Sequence, residues 1–228
     1  MGLFAVWFNP QPCISEGIFL REDFNSLKEW KPLTFKKIKV HSTYSVEEND
    51  GETFLKAESN RSASGIIFKR EFDVYRYPRL RWKWKVSNIY EKGNALTKEG
   101  DDYPIRIYVI FKYDPKRADF WTRAKYNAAK LVYGEYPPHS TINFVWSSRS
   151  YDKKYITNAY TDRAKIIPMN MGKGKVGLWQ THEVNILVHY EKAFGKGPPV
   201  TGSLAIMNDS DNTGESSVSY IDFIEISE

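Results

Sequence analysis

"LRWKWKV", Leu80 to Val86, decides the fold class. Leu80, Trp82, Trp84 and Val86 alternate with Arg81, Lys83 and Lys85, the two-residue period of a strand with one buried and one wet face. At 3.6 residues per turn the same residues would be scattered around a helix. Working outward, "IRIYVIFKY" (105–113) puts Ile105, Ile107, Val109 and Phe111 on one face. Arg106, Tyr108, Ile110 and Lys112 fall on the other, a mixture that suits a central strand whose outer face is partly covered. Related patterns occur in "SGIIFKREFDV" (64–74), "TINFVWSS" (141–148), "HEVNILVHYE" (182–191), "GSLAIMN" (202–208) and "SVSYIDFIEIS" (217–227). Seven or more strands separated by Gly, Pro, Asn and Asp clusters read as a mainly β, antiparallel, jelly-roll-like sandwich.

One segment departs from the period of two. "DPKRADFWTRAKYNAAKLVYG" (114–134) opens with Asp114 as N-cap and Pro115 at the first helical position, and closes on Gly134 as a left-handed cap. Phe120, Ala124, Ala128 and Leu131 recur at helical spacing, with Trp121 and Val132 widening the stripe, so an amphipathic helix is expected over about residues 115–133. Such a stripe normally packs on its own core, covering a sheet face or closing an end of the sandwich.

The chain has 228 residues, 41% of them hydrophobic, enough to bury one sizeable core. We read residues 18–228 as a single β-sandwich domain and 1–17 as a leader or partial export signal; the apolar run Leu3–Phe8 in "MGLFAVWFNPQPCIS" is shorter than a secretory h-region and lacks a basic start, so a first strand or disordered leader is the alternative. That leader points to the periplasm or cell envelope. The single cysteine, Cys13, excludes an intrachain disulfide. No stretch has the roughly 18 consecutive apolar residues of a membrane helix, so no integral span is expected. The 33 basic residues against 28 acidic ones are scattered rather than gathered into a groove, which argues against nucleic acid as a partner.

Standard catalytic motifs are missing. "GKGKVG" (172–177) and "GKGPP" (195–199) lack phosphate-loop spacing, and His182 and His189 are seven residues apart where a zinc-protease helix needs four. No serine sits in a nucleophile elbow. Two carboxylates across a cleft would suffice for a glycosidase. Asp101 and Asp102 end the long polar loop "SNIYEKGNALTKEGDDYP" (87–104) just before a strong strand carrying Arg106. The competing reading is a solvated strand entry with an ion pair.

"MNDSDNTGESS" (207–217) spaces Asp209, Asp211, Thr213 and Gly214 like half of a calcium loop, but position twelve is Tyr220 instead of the bidentate glutamate. An EF-hand is excluded. A calcium ion on Asp209, Asp211 and Thr213 competes with a polar strand-to-strand turn, in which Asp and Asn satisfy local backbone groups. Among the aromatics, Tyr133, Tyr136, Tyr151, Tyr155 and Tyr160 have polar neighbours, and a flat ring with a polar tip suits a sugar.

The motifs "GDDYPIRIYVIF", "INFVWSS" and "LAIMNDSDNTGESSVSYIDFIEIS" together make the chain resemble a bacterial family, domain of unknown function 3047, from about "REDFNSLKEW" to the C-terminus. The resemblance implies an exported, lectin-like or carbohydrate-binding β-sandwich and supplies no catalytic residues. It directs attention to Asp101, Asp102 and Arg106, to Asn143 and Trp146, and to the run Asp209–Gly214.

The expected function is non-catalytic binding of a carbohydrate or envelope-derived ligand. Asp101, Asp102, Arg106 and Asn143 would bond hydroxyls, and Trp146 or a loop tyrosine would stack on a ring. The alternatives are a glycoside hydrolase or polysaccharide lyase using Asp101 or Asp102, and a structural envelope protein with a protein partner. No cofactor is expected beyond a structural calcium ion.

Overall fold

The computed structural model describes residues 17–116, 118–133 and 136–228. The leader up to residue 16 and the cap assigned to Gly134 lie outside them.

Two sheets face each other. One contains β1 (Ile18–Glu22), β3 (Thr43–Asn49), β4 (Glu52–Asn60), β7 (Arg79–Val86), β12 (Gln180–Asn185) and β14 (Ser216–Ser227), in the order β12-β7-β14-β4-β3 with β1 also on β14. The other contains β2 (Trp30–Leu33), β5 (Ala63–Phe68), β6 (Phe72–Asp73), β8 (Arg106–Phe111), β9 (Ser140–Ser147), β10 (Ile156–Asn158), β11 (Thr161–Met171) and β13 (Thr201–Asp209). Its order is β10-β11-β9-β8-β13-β5-β2, with β6 on β13. This is the jelly-roll-like sandwich of the sequence reading, with one parallel pair, β9 and β11, among antiparallel neighbours.

The alternation in β7 works as read. Leu80, Trp82, Trp84 and Val86 are fully buried, while Arg81, Lys83 and Lys85 lie on the outer face. Trp82 meets Phe144 of β9 at 5.4 Å between centroids, and Trp84 meets Trp146 at 6.4 Å, so the centre of the core is an aromatic seam between the sheets. Trp84 Nε1 donates to Asn170 Oδ1 at 2.8 Å, which satisfies the polar edge of a buried indole.

Three expectations are corrected. "HEVNILVHYE" is a strand only to Asn185; Ile186–Phe194 form a second helix, α2. The Asn185 side chain caps its start by accepting from Val188 N, and Gly195, at φ 72°, ends it. Local capping there overrides a run of β-formers. The first helix, α1, spans Phe120–Tyr133 and starts later than residue 115. Asp114 accepts from Lys116 N in a turn, and Asp119 is the cap, accepting from Thr122 N at 2.8 Å. The stripe of α1 also misses the core: Phe120, Trp121 and Leu131 are 73%, 80% and 89% exposed. The helix rests on the body through Tyr126, stacked on Tyr113 with centroids 3.7 Å apart.

Candidate functional site

β8 turns Ile107, Val109 and Phe111 inward, which leaves Arg106 and Tyr108 on the outer face of the larger sheet. Its neighbour β13 pairs Met207 with Arg106, so Asp209, two residues beyond Met207, shares that face. Arg106 Nε donates to Asp209 Oδ1 at 2.8 Å, and Nη2 closes the fork on Oδ2. Both side chains are buried, so a charge-assisted fork replaces the water each has lost. The guanidinium also donates to the Asp101 carbonyl at 3.3 Å and lies 4.8 Å from the Tyr103 ring centroid.

The two carboxylates before β8 do separate jobs. Asp102 pins the last turn of the chain: its Oδ2 accepts from Thr213 N at 2.6 Å, and its Oδ1 from Asn212 Nδ2 at 3.0 Å. Asp101 Oδ2 accepts from Asn158 Nδ2 at 2.7 Å, while Oδ1 has no hydrogen-bond partner among the described residues and lies 3.9 Å from Arg106 Nη1. Burial pushes the Asp101 carboxyl above its ordinary pKa, against the pull of Arg106, of the Asn158 hydrogen bond and of the Tyr103 hydroxyl. Burial likewise raises Asp211, and Asp102 adds to it. The solvated strand entry is therefore corrected: Asp101, Asp102 and Arg106 are all buried. The loop 87–104 that delivers them is packed down, with Tyr90 bonded to Ser59 and Ser217 and with Ala95 N donating to Tyr151 Oη.

Over these groups opens a cavity of about 640 Å³ on the outer face of the larger sheet. Asp101, Arg106, Asn143, Asp209 and Asp211 form its polar wall, and Phe35, Ile38, Ala63 and Met207 an apolar one. Asn143 sits beside Tyr108 in the β8–β9 register, buried, with Oδ1 unpartnered among the described residues. Asn158 and Tyr160 complete the mouth. Asn158 was not singled out in the sequence, because nothing local marks an asparagine in a short edge hairpin as a site residue. The apolar wall from the 35–38 loop likewise carried no signal.

Trp146 is not in the pocket. Three residues from Asn143 on one strand, it has the opposite parity and is fully buried between the sheets, its Nε1 donating to Gly172 O at 3.3 Å. The loop of Asp209 is a tight turn between β13 and β14, with Gly214 at φ 71°. Asp209 and Asp211 do converge on the Asp101–Arg106 segment. The third carboxylate there is Asp102: these three offer oxygens within 4.8 Å of one another, a spacing that could hold a metal ion. Thr213, the residue expected to supply an oxygen, donates its backbone N–H to Asp102, and its Oγ1 is buried with no hydrogen-bond partner among the described residues.

Among solved structures, the chain is similar to the family 11 carbohydrate-binding module of Clostridium thermocellum in complex with a β-1,3-1,4-mixed-linked tetrasaccharide. The identity is 10%, covering 92% of this chain and 94% of that one, at a TM-score of 0.44. It is also similar to endoglucanase 3 of Trichoderma harzianum, from family GH12, at 7% identity, with 88% and 99% covered and a TM-score of 0.40. Likenesses at these scores say nothing about the ligand. No curated protein matches the chain. The family model described as "Protein of unknown function (DUF3047)" matches residues 28–225, nearly the whole of the described sandwich, and the chain belongs to that family.

Proposed function

We propose that the protein binds a carbohydrate, or another hydroxyl-rich ligand derived from the cell envelope, in the cavity over Arg106 and Asp209, without performing chemistry on it. One observation carries this reading: a buried acceptor, Asn143 Oδ1, stands in the cavity wall with no hydrogen-bond partner among the described residues. A buried acceptor left unsatisfied costs about 1–3 kcal/mol. A ligand hydroxyl supplies the missing donor and can accept a further bond from its surroundings. The volume of about 640 Å³ suits a small ligand. The apolar wall of Phe35, Ile38 and Met207 suits the carbon face of a ring, and Tyr160 at the mouth takes the stacking role expected of Trp146. A periplasmic or envelope location is part of the same proposal.

A hydrolase or lyase is the second reading, supported by the raised pKa of Asp101, the property an acid catalyst needs. The partner carboxylates weigh against it, since Asp209 is held by Arg106 and Asp102 by the turn. Calcium on Asp102, Asp209 and Asp211 would be a structural ion at the rim, sharing Asp209 with the guanidinium.

A glycan-array screen paired with an assay for released reducing ends tests the proposal. We expect hits that weaken about tenfold or more in Asn143→Ala and Asp101→Asn, both folded at the assay temperature, the loss of one hydrogen bond in the site. No reducing ends should be released. An array without hits overturns the carbohydrate reading, and reducing ends that disappear in Asp101→Asn hand the site to the enzyme.

A further inference from the structure

We infer that α1 is a membrane-surface anchor that lays its outward apolar stripe on an anionic lipid bilayer, a role separate from the ligand cavity. Phe120, Trp121 and Leu131 are 73%, 80% and 89% exposed, and Ala124 and Ala128 between them are exposed as well. Along the helical period these five residues form one continuous stripe, with Phe120 and Trp121 in edge-to-face contact at 5.6 Å. A contiguous apolar patch of this kind on an exposed face marks an interaction surface.

Charge and geometry say which surface. The helix contains Arg123, Lys125 and Lys130 and no Asp or Glu. Arg123 and Lys130 border the stripe on one side and Lys125 on the other, so the face offers apolar groups framed by cations. That is the composition of a helix lying in a bilayer interface, rings and leucine in the acyl boundary and lysines at anionic headgroups. The opposite face is committed to the protein body. Tyr126 stacks on Tyr113 at 3.7 Å between centroids, its hydroxyl donates to Pro138 O, and Arg163 Nη1 donates to that hydroxyl at 2.7 Å. A partner that wraps around a helix needs more than one free face; a bilayer needs only one. No described helix is long and apolar enough to cross a membrane, so the contact is with the surface.

The test is flotation of the whole protein with vesicles of phosphatidylcholine alone or with phosphatidylglycerol added. We expect co-flotation with the phosphatidylglycerol vesicles that falls as salt is raised, and little with phosphatidylcholine alone. Trp121→Ser/Leu131→Ser should reduce it about tenfold or more by removing the buried apolar area, and Lys125→Glu/Lys130→Glu should do the same by reversing the charge. The changed residues carry exposed side chains at Trp121, Lys125, Lys130 and Leu131, and an unchanged melting temperature checks that both variants fold. The inference is overturned if the wild type floats with neither vesicle, if it binds both equally at all salts, or if the variants bind like the wild type. A concentration-dependent dimer in scattering that Trp121→Ser/Leu131→Ser dissolves would assign the stripe to a second copy of the chain and overturn it too.

Discussion

Arg106 on β8 and Asp209 on β13 form a buried ion pair, Nε to Oδ1 2.8 Å, on the outer face of the larger sheet. They are 103 residues apart in the chain and become neighbours because the β8–β13 register sets Arg106 opposite Met207. Asp209→Ala leaves a guanidinium buried without its partner and should cost about 3–5 kcal/mol in urea unfolding. The double substitution Arg106→Met/Asp209→Leu removes both charges and should recover most of that loss. A single variant that unfolds like the wild type would show the pair to be solvated.

Burial holds His182 and His189 at about 4, below the ordinary 6.5. Between those values the unfolded chain binds more protons than the folded one, so these groups favour the fold fully above about 6.5 and lose that contribution as pH falls toward 4. Asp101, raised by burial, works in the opposite direction: the folded chain holds its proton longer, and ionisation as pH rises costs stability. Urea midpoints at pH 7 and pH 5 should therefore show a smaller acid loss in His182→Gln/His189→Gln than in the wild type. Identical acid losses in the two proteins would remove the linkage argument.

Trp146 and Tyr160 separate core from site. Trp146→Ala empties part of the aromatic seam and should cost about 3–5 kcal/mol. Tyr160, 55% exposed, gives up hydrogen bonds to Asn212 Oδ1 and Lys98 O, so Tyr160→Ala should cost only about 1 kcal/mol while weakening any glycan hit. Equal stability losses, or a glycan hit unaffected by Tyr160→Ala, would contradict this division.

In the turn, Asp102 already takes Thr213 N and Asn212 Nδ2, and Asp209 already takes Arg106. We expect the melting temperature to be the same in millimolar calcium and in chelator. An ion held at 100 times its dissociation constant would add about 2.7 kcal/mol, so a calcium-dependent rise of several degrees that Asp211→Asn abolishes would establish the ion instead.

Strand parity was the legible part of this protein; capping was not, since Asp119 rather than Asp114 starts α1 and the Asn185 cap of α2 falls in a run read as a strand. "LRWKWKV" alone sorts Trp82 and Trp84 from Lys83 and Lys85, because a strand's two faces follow directly from a period of two. The same rule places Asn143 and Trp146 on opposite faces, although the sequence reading sets both on one ligand. The segment from Asp101 to Arg106 and the turn after Asp209 were also marked by their polar residues. The sequence did not show that these two segments meet, or that Asp102 serves the turn while Asp101 serves the cavity. Sheet pairing between distant strands decides that. Nor did helical periodicity reveal which way α1 faces: a stripe specifies a contact but not its partner, and Tyr126 stacked on Tyr113 turns the apolar side outward. Local pattern determined most of the strands and their faces; capping, long-range register and packing determined α2, the facing of α1 and which faces came together around the cavity.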